Sequence, residues 1–238
     1  MRSPTHAAAV FGLVVSAACS PPPTGSSSTT SSSSGGQAED VRLDPPAAGQ
    51  GWQWSTGTFE VASGVEQQDC YFFQVPGTGT DPVYVNKLVV AMNEGSHHMN
   101  LFRVRTIGGL DPANGAVQRA QNGVGECFKS PNWADWPLVI NSQQGGSIEW
   151  ELPQGVAHKF TPGEWIMLQT HYVNASTQMT PYRGLVLVNF HAVPGANVQH
   201  ELGTLFATKQ SIRICEQNAT PTFEGSCQVN SSQPVTIV

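Results

Sequence analysis

Short apolar runs separated by turn signals are the feature of this sequence that most restricts its fold. No stretch keeps an apolar period of 3.6 residues, so a helical core is not expected. Turn-forming sequences such as PGTGTDP, GGLDPANG and TPGE separate the runs. Many short strands at this spacing predict an all-β chain, folded as an antiparallel, jelly-roll-like β-sandwich. The predicted strands are 70–75, 85–92, 100–107, 147–152, 164–173, 184–193 and 204–214.

Segment 110–146 breaks this regular pattern. It contains glycine, asparagine and tryptophan with weak periodicity, and Cys127 lies near its centre. We expect a long ordered excursion that a disulfide holds in place, with Trp133 and Trp136 as packing residues.

The first 50 residues differ in composition from the rest of the chain. Arg2 precedes an apolar run at 7–15 that is too short to span a bilayer, and small residues then lead to Cys19. This pattern predicts a signal peptide over 1–18 and lipidation of Cys19, although an ordinary cleaved signal fits the same residues. Residues 19–50 are rich in Ser, Pro and Thr and predict a disordered tether. We therefore expect an exported bacterial lipoprotein, anchored to the membrane on its periplasmic or cell-surface side.

The charge balance excludes one class of partner. The net charge is −6, and the 11 Lys and Arg residues are scattered along the chain. Nucleic acid is therefore not an expected partner, because its binding requires a basic patch.

Four cysteines remain after Cys19 in a chain that is expected to be exported. Cys70, Cys127, Cys215 and Cys227 predict two disulfides, with three connectivities open. Cys215 and Cys227 flank a loop rich in turn-forming residues, so a local bridge there would leave Cys70 and Cys127 to form the second.

Three histidines are the candidate metal ligands. His97 and His98 are adjacent in a strand-like stretch, and His171 lies in another. Neighbouring side chains on a regular strand point to opposite faces, so the pair can share one metal only where the backbone is irregular. The glycine of the preceding segment 94–96 suits such a bulge. Three imidazoles without a neighbouring thiolate or carboxylate favour copper or zinc.

Other residues near the histidines have subsidiary expected roles. Met99 is expected to pack in the core. Tyr172 and Gln169 flank His171 and are candidates for orienting its imidazole. His158 matches no expected ligand position.

Two of these motifs resemble a known family. HHMNLF (97–102) resembles the first copper signature of the ascorbate-dependent type II copper monooxygenases, which include peptidylglycine α-hydroxylating and dopamine β-monooxygenases. In that signature a cysteine follows the phenylalanine after one residue, and here Val104 replaces it. LQTHYVN (168–174) resembles the segment that carries the third histidine of the same copper.

The resemblance covers roughly residues 55–238 and implies a fold, a metal and a role. It implies a copper-binding sandwich over 51–200 in which His97, His98 and His171 hold copper. That copper would cycle between Cu(I) and Cu(II), with an ascorbate-like reductant as its electron source. It also implies a disulfide between Cys70 and Cys127.

In this family the copper delivers its electron to a second copper, where oxygen-dependent hydroxylation takes place. The second site needs a His-x-His pair, which does not occur in this sequence. We therefore expect 201–238 to begin an incomplete second sandwich, and a further domain or downstream chain to carry the second copper. The expected function is that of a copper monooxygenase domain acting on a small-molecule or peptide substrate. The alternative is a membrane-anchored copper-binding and electron-transfer lipoprotein without hydroxylase activity.

Overall fold

The computed structural model describes residues 39–106, 113–125, 127, 136–143, 145–176 and 181–205, with isolated positions beyond. Several expectations fall outside the described residues. They are the signal peptide and the tether up to residue 38, with the lipid anchor Cys19. They also include Cys215, Cys227, Trp133 and most of the expected second sandwich at 201–238. Among the described residues, no helix is long and apolar enough to cross a membrane.

The regular structure of the described residues consists mainly of fourteen strands, with a 3₁₀ turn at Gly195–Asn197. The strands are β1 (Gly51–Ser55), β2 (Phe59–Val61), β3 (Glu66–Gln74), β4 (Val83–Met92), β5 (Ser96–Arg103), β6 (Val117–Gln121), β7 (Val124–Gly125), β8 (Leu138–Gln143), β9 (Gly146–Glu151), β10 (Val156–Phe160), β11 (Trp165–Val173), β12 (Tyr182–Gly184), β13 (Val186–Val193) and β14 (His200–Glu201).

Two six-stranded sheets account for most of these strands. Sheet I has the order β1-β13-β4-β10-β14, and β9 also pairs with β4. Sheet II has the order β7-β6-β3-β11-β5-β8, and β2 and β12 form a separate ribbon. Neighbouring strands are antiparallel except for β10 and β14, which are parallel. The predicted all-β, antiparallel sandwich is confirmed.

The main core lies between the two sheets. Alternate residues of β4 and β13, such as Leu88 and Phe190, pack from sheet I against Leu101 and Leu168 of sheet II. Alternation of side chains along each strand places these residues on one face. Full burial of a leucine or phenylalanine side chain stabilises the fold by about 2 kcal/mol.

A second apolar cluster covers part of the outer face of sheet II. Phe72, Phe102 and Met167 belong to it, and Trp136 packs there with the disulfide between Cys70 and Cys127. Cys127 and Trp136 of segment 110–146 thus pack on this face, as expected. The expectation that the segment is an excursion is wrong in part, because β6, β7 and β8 of the same segment pair as strands of sheet II. The remainder of this outer face is polar and carries the histidines.

Residues 39–50, which composition assigns to the tether, contact sheet I and its connections. The Val41 N–H donates to Oδ1 of Asn93 (2.8 Å), and Asn189 Nδ2 donates to the carbonyl of Asp44 (2.7 Å). An ion pair joins Asp40 to Arg183 (2.7 Å). These contacts hold this end of the segment against the sandwich.

Candidate metal centre

A β-bulge brings the tandem histidines to one face of sheet II. In the antiparallel pair of β5 and β11, His98 lies opposite His171, but the next residue, Tyr172, lies opposite Ser96. His97 is therefore the extra residue that a bulge inserts. Ser96 and Met99, on either side of the pair, are both buried, whereas the two histidines emerge together on the outer face.

Gly95 begins this irregular stretch and is required by its backbone geometry. Its φ angle is +88°, a conformation that favours glycine. A Cβ at this position would also lie 2.7 Å from Cδ2 of Tyr182. The expected backbone irregularity after a glycine in 94–96 is confirmed.

The three histidines form one compact group, called here the three-histidine cluster (His97, His98 and His171). One ring nitrogen from each histidine lies within 4.8 Å of those from the other two. Nδ1 of His98 is 2.9 Å from Nδ1 of His97 and 3.4 Å from Nδ1 of His171. The ring centroids are 4.8–5.1 Å apart. The three residues predicted as ligands are therefore brought together.

The two Nδ1 separations from His98 match those of nitrogens bound to one metal ion. An imidazole nitrogen lies about 2.0–2.1 Å from a bound zinc ion. Two nitrogens at that distance, separated by an angle of about 90–120° at the ion, are about 2.8–3.6 Å apart. The Nδ1 separations of 2.9 Å and 3.4 Å fall in this range. The group of three could therefore hold a metal ion, with His98 as the ligand between the other two.

Burial controls the protonation of the central histidine. His97 is exposed, and His98 and His171 are half-buried. Burial, with the nearby His171 and His97 as smaller causes, lowers the pKa of His98 to about 4. Its imidazole is neutral at pH 7 and offers a lone pair.

Glu66 is the residue at this site that sequence reasoning missed. Its Oε1 is 2.7 Å from Nε2 of His171, the ring nitrogen turned away from the cluster. The two residues are 105 positions apart and meet because β3 and β11 are neighbours in sheet II. The only signal in the sequence was the position of Glu66 four residues before Cys70. Residues an even number of positions apart on a strand share a face, so both side chains face outward on β3.

The candidate orienting residues point elsewhere. The Tyr172 hydroxyl donates to the carbonyl of Leu185 (3.2 Å) on the core side. Gln169 accepts a hydrogen bond from Asn100 (3.0 Å), which in turn bonds to Asn141. Neither residue hydrogen-bonds to His171. Met99 is fully buried, as expected.

The remaining described histidines belong to the other sheet. His158 lies buried on β10, and His191 and His200 lie on β13 and β14. None of the three belongs to the cluster.

The fold and the site define an all-β sandwich with a candidate three-histidine metal centre. Compared with known protein families and with curated proteins, the chain shows no match to either. The resemblance to copper monooxygenases therefore rests on the two local motifs, and the metal centre rests on its geometry.

Proposed function

We propose that this chain binds one copper ion through Nδ1 of His97, His98 and His171 and uses it to exchange single electrons. The observation that supports this proposal is the convergence of the three histidines, with Nδ1 of His98 at 2.9 Å from Nδ1 of His97 and at 3.4 Å from Nδ1 of His171. Imidazole is a good ligand for copper, and Cu(II) is the divalent first-row ion that such sites generally bind most tightly. When bound, copper would supply one-electron exchange between Cu(I) and Cu(II).

Several features of the chain support this role. The three ligands come from two hydrogen-bonded strands, so the sheet fixes their mutual positions. The exposed His97 leaves the cluster accessible to a reductant such as ascorbate or to a redox partner. Export and anchorage through Cys19 form part of the same proposal.

We further propose that this site stores the electron for a copper-dependent monooxygenase, with hydroxylation at a second copper on another domain or chain. The two family-like motifs support it, because the structure pairs His98 of the first with His171 of the second. The alternative is an anchored electron carrier without hydroxylase activity. One observation favours it: the described residues contain no second group of three metal-ligating side chains.

Copper content per chain tests the metal site. We expect close to one copper per wild-type chain by elemental analysis, and its loss in both His97→Ala and His171→Ala. The matched control is His200→Ala, which removes an exposed histidine on β14 and should retain the copper. A wild-type chain without copper under both reducing and oxidising conditions would contradict the proposal.

Oxygen consumption separates the two roles. The copper-loaded chain alone should accept one electron from ascorbate, seen as loss of the Cu(II) spin resonance signal, without sustained oxygen uptake coupled to a hydroxylated product. Addition of a domain that carries the second copper should start such turnover if the chain belongs to a monooxygenase. An electron carrier would remain inactive in both experiments.

A further inference from the structure

We propose that Glu66 is the positioning residue of the metal centre: its carboxylate fixes the orientation and tautomer of His171, so that Nδ1 faces the metal. The proposal rests on the proposed metal site and adds a residue that does not itself bind the ion. It concerns the outer side of the cluster, where β3 runs beside β11.

The sheet brings Glu66 within reach of His171. In the antiparallel pair of β3 and β11, Glu66 lies opposite Val173 and His171 lies opposite Gln68, so Glu66 is the diagonal neighbour of His171. Diagonal neighbours on one face are close enough for long side chains to meet. Here Oε1 of Glu66 is 2.7 Å from Nε2 of His171. The other ring nitrogen, Nδ1, faces Nδ1 of His98 at 3.4 Å.

The chemistry of the two groups determines which nitrogen carries the proton. A carboxylate only accepts hydrogen bonds, so the bond to Glu66 places the proton of a neutral imidazole on Nε2. Nδ1 is then left with its lone pair, directed into the cluster. Such outer carboxylates fix the ring orientation of metal-binding histidines and raise their basicity.

The charge of Glu66 should also discriminate between the two oxidation states. Cu(II) carries one more positive charge than Cu(I), so a carboxylate held beside a ligand stabilises the oxidised ion more. Removal of that carboxylate should weaken Cu(II) binding more than Cu(I) binding. An ordinary surface ion pair would leave both affinities unchanged, because exposed pairs contribute little.

The backbone of Glu66 is held independently of its side chain. Its N–H donates to Oδ1 of Asn122 (3.0 Å), and the N–H of Asn122 donates to the carbonyl of Glu66 (2.8 Å). The side chain itself is 47% exposed and contributes little to the core. Substitution of this side chain should therefore leave the sandwich folded.

Affinities for Cu(I) and for Cu(II), measured by competition with chelators, provide the first test. We expect Glu66→Ala to weaken Cu(II) binding 10–100-fold, with a smaller loss for Cu(I). Glu66→Gln keeps the length of the side chain and an acceptor oxygen, so its loss should be intermediate. The control is Glu94→Gln, an exposed carboxylate three residues before His97 that bonds to no histidine of the cluster among the described contacts. Its affinities should match those of the wild type.

Nitrogen-15 NMR of the Cu(I)-loaded chain provides a readout that a merely structural role would not change. His171 should show a slowly exchanging Nε2–H proton in the wild type, and this signal should be lost in Glu66→Ala. Urea unfolding of the metal-free variants should give the wild-type midpoint, which excludes misfolding as the cause.

The outcomes distinguish this proposal from the metal site itself. If Glu66→Ala keeps the wild-type affinities and the Nε2–H signal, the positioning role is overturned while the copper site stands. If the wild-type chain binds no copper at all, the metal site fails, and the role of Glu66 fails with it.

Discussion

Replacement of both Cys70 and Cys127 by alanine should lower the free energy of unfolding by about 4 kcal/mol. The bond joins residues 57 positions apart. A crosslink over such a loop removes about 14 cal/mol/K of entropy from the unfolded chain, which is about 4 kcal/mol at 25 °C. Both cysteines are fully buried, so loss of their packing adds to this cost.

Urea unfolding of the oxidised proteins, followed by tryptophan fluorescence, measures this difference. With a slope of about 2 kcal/mol/M, the midpoint should fall by about 2 M. Cys215 and Cys227 are present in both proteins, so their contribution cancels. Copper content in the absence of urea is the control and should not change, because both cysteines belong to the apolar cluster with Phe72 and Met167 and not to the three-histidine cluster. A midpoint shift below about 0.5 M would refute the loop-entropy reasoning.

Two further substitutions test the backbone at the bulge and a buried histidine. Gly95→Ala should lower both stability, by about 2 kcal/mol, and copper content, because its φ is +88° and its Cβ would meet Tyr182. An unchanged urea midpoint and full copper occupancy would contradict this. Burial, with the charge of Arg103 as a smaller cause, lowers the pKa of His158 from 6.5 to about 4. The unfolded chain therefore binds this proton first as pH falls, and the wild type should lose about 3 kcal/mol between pH 6.5 and pH 4 that His158→Gln does not lose. Parallel stability curves for the two proteins from pH 7.5 to pH 4 would refute this assignment.

Long central strands were predictable from sequence because buried strands need apolar residues along most of their length. The predicted runs 85–92, 164–173 and 184–193 correspond closely to β4 (Val83–Met92), β11 (Trp165–Val173) and β13 (Val186–Val193). Each pairs with neighbours on both sides, and its core face is almost fully buried. In such central strands the apolar pattern and the hydrogen-bonded structure coincide.

Strands with polar composition were not predictable in the same way. β6 (Val117–Gln121) reads VQRAQ, with one fully buried residue, and its partner β7 has two residues. Their strand geometry comes from backbone pairing, of β6 with β3 and of β7 with β6, rather than from an apolar face of their own. β1 was missed for another reason. Its Trp52 and Trp54 alternate with polar residues as expected of a strand, but the run is short. The ring of Trp52 stacks on Phe190, which is distant in sequence, so this contact gives no local signal.

The candidate metal ligands could be predicted from residue type, whereas their environment could not. Imidazoles at three positions identified His97, His98 and His171 before any geometry was known. The contact of Glu66 with His171 depends on the order β3-β11-β5 within sheet II, which places a strand from early in the chain beside His171. Strand order is a property of the whole fold, and no local pattern around Glu66 or His171 encodes it.

The alternation of side chains along β5 determines which residues reach the three-histidine cluster. On a regular strand, His97 would face the core with Met99, and His98 alone would face outward with Asn100. The bulge adds one residue between Ser96 and Met99 relative to β11, so both of these remain buried while the two histidines between them share the outer face. Since the register shift falls between His171 and Tyr172, the third histidine lies directly opposite the bulge. The same His-His pair on an unbulged strand would offer a single ligand to the outer face. The three-histidine cluster is therefore produced by the glycine-dependent backbone irregularity together with the imidazoles, and neither would suffice without the other.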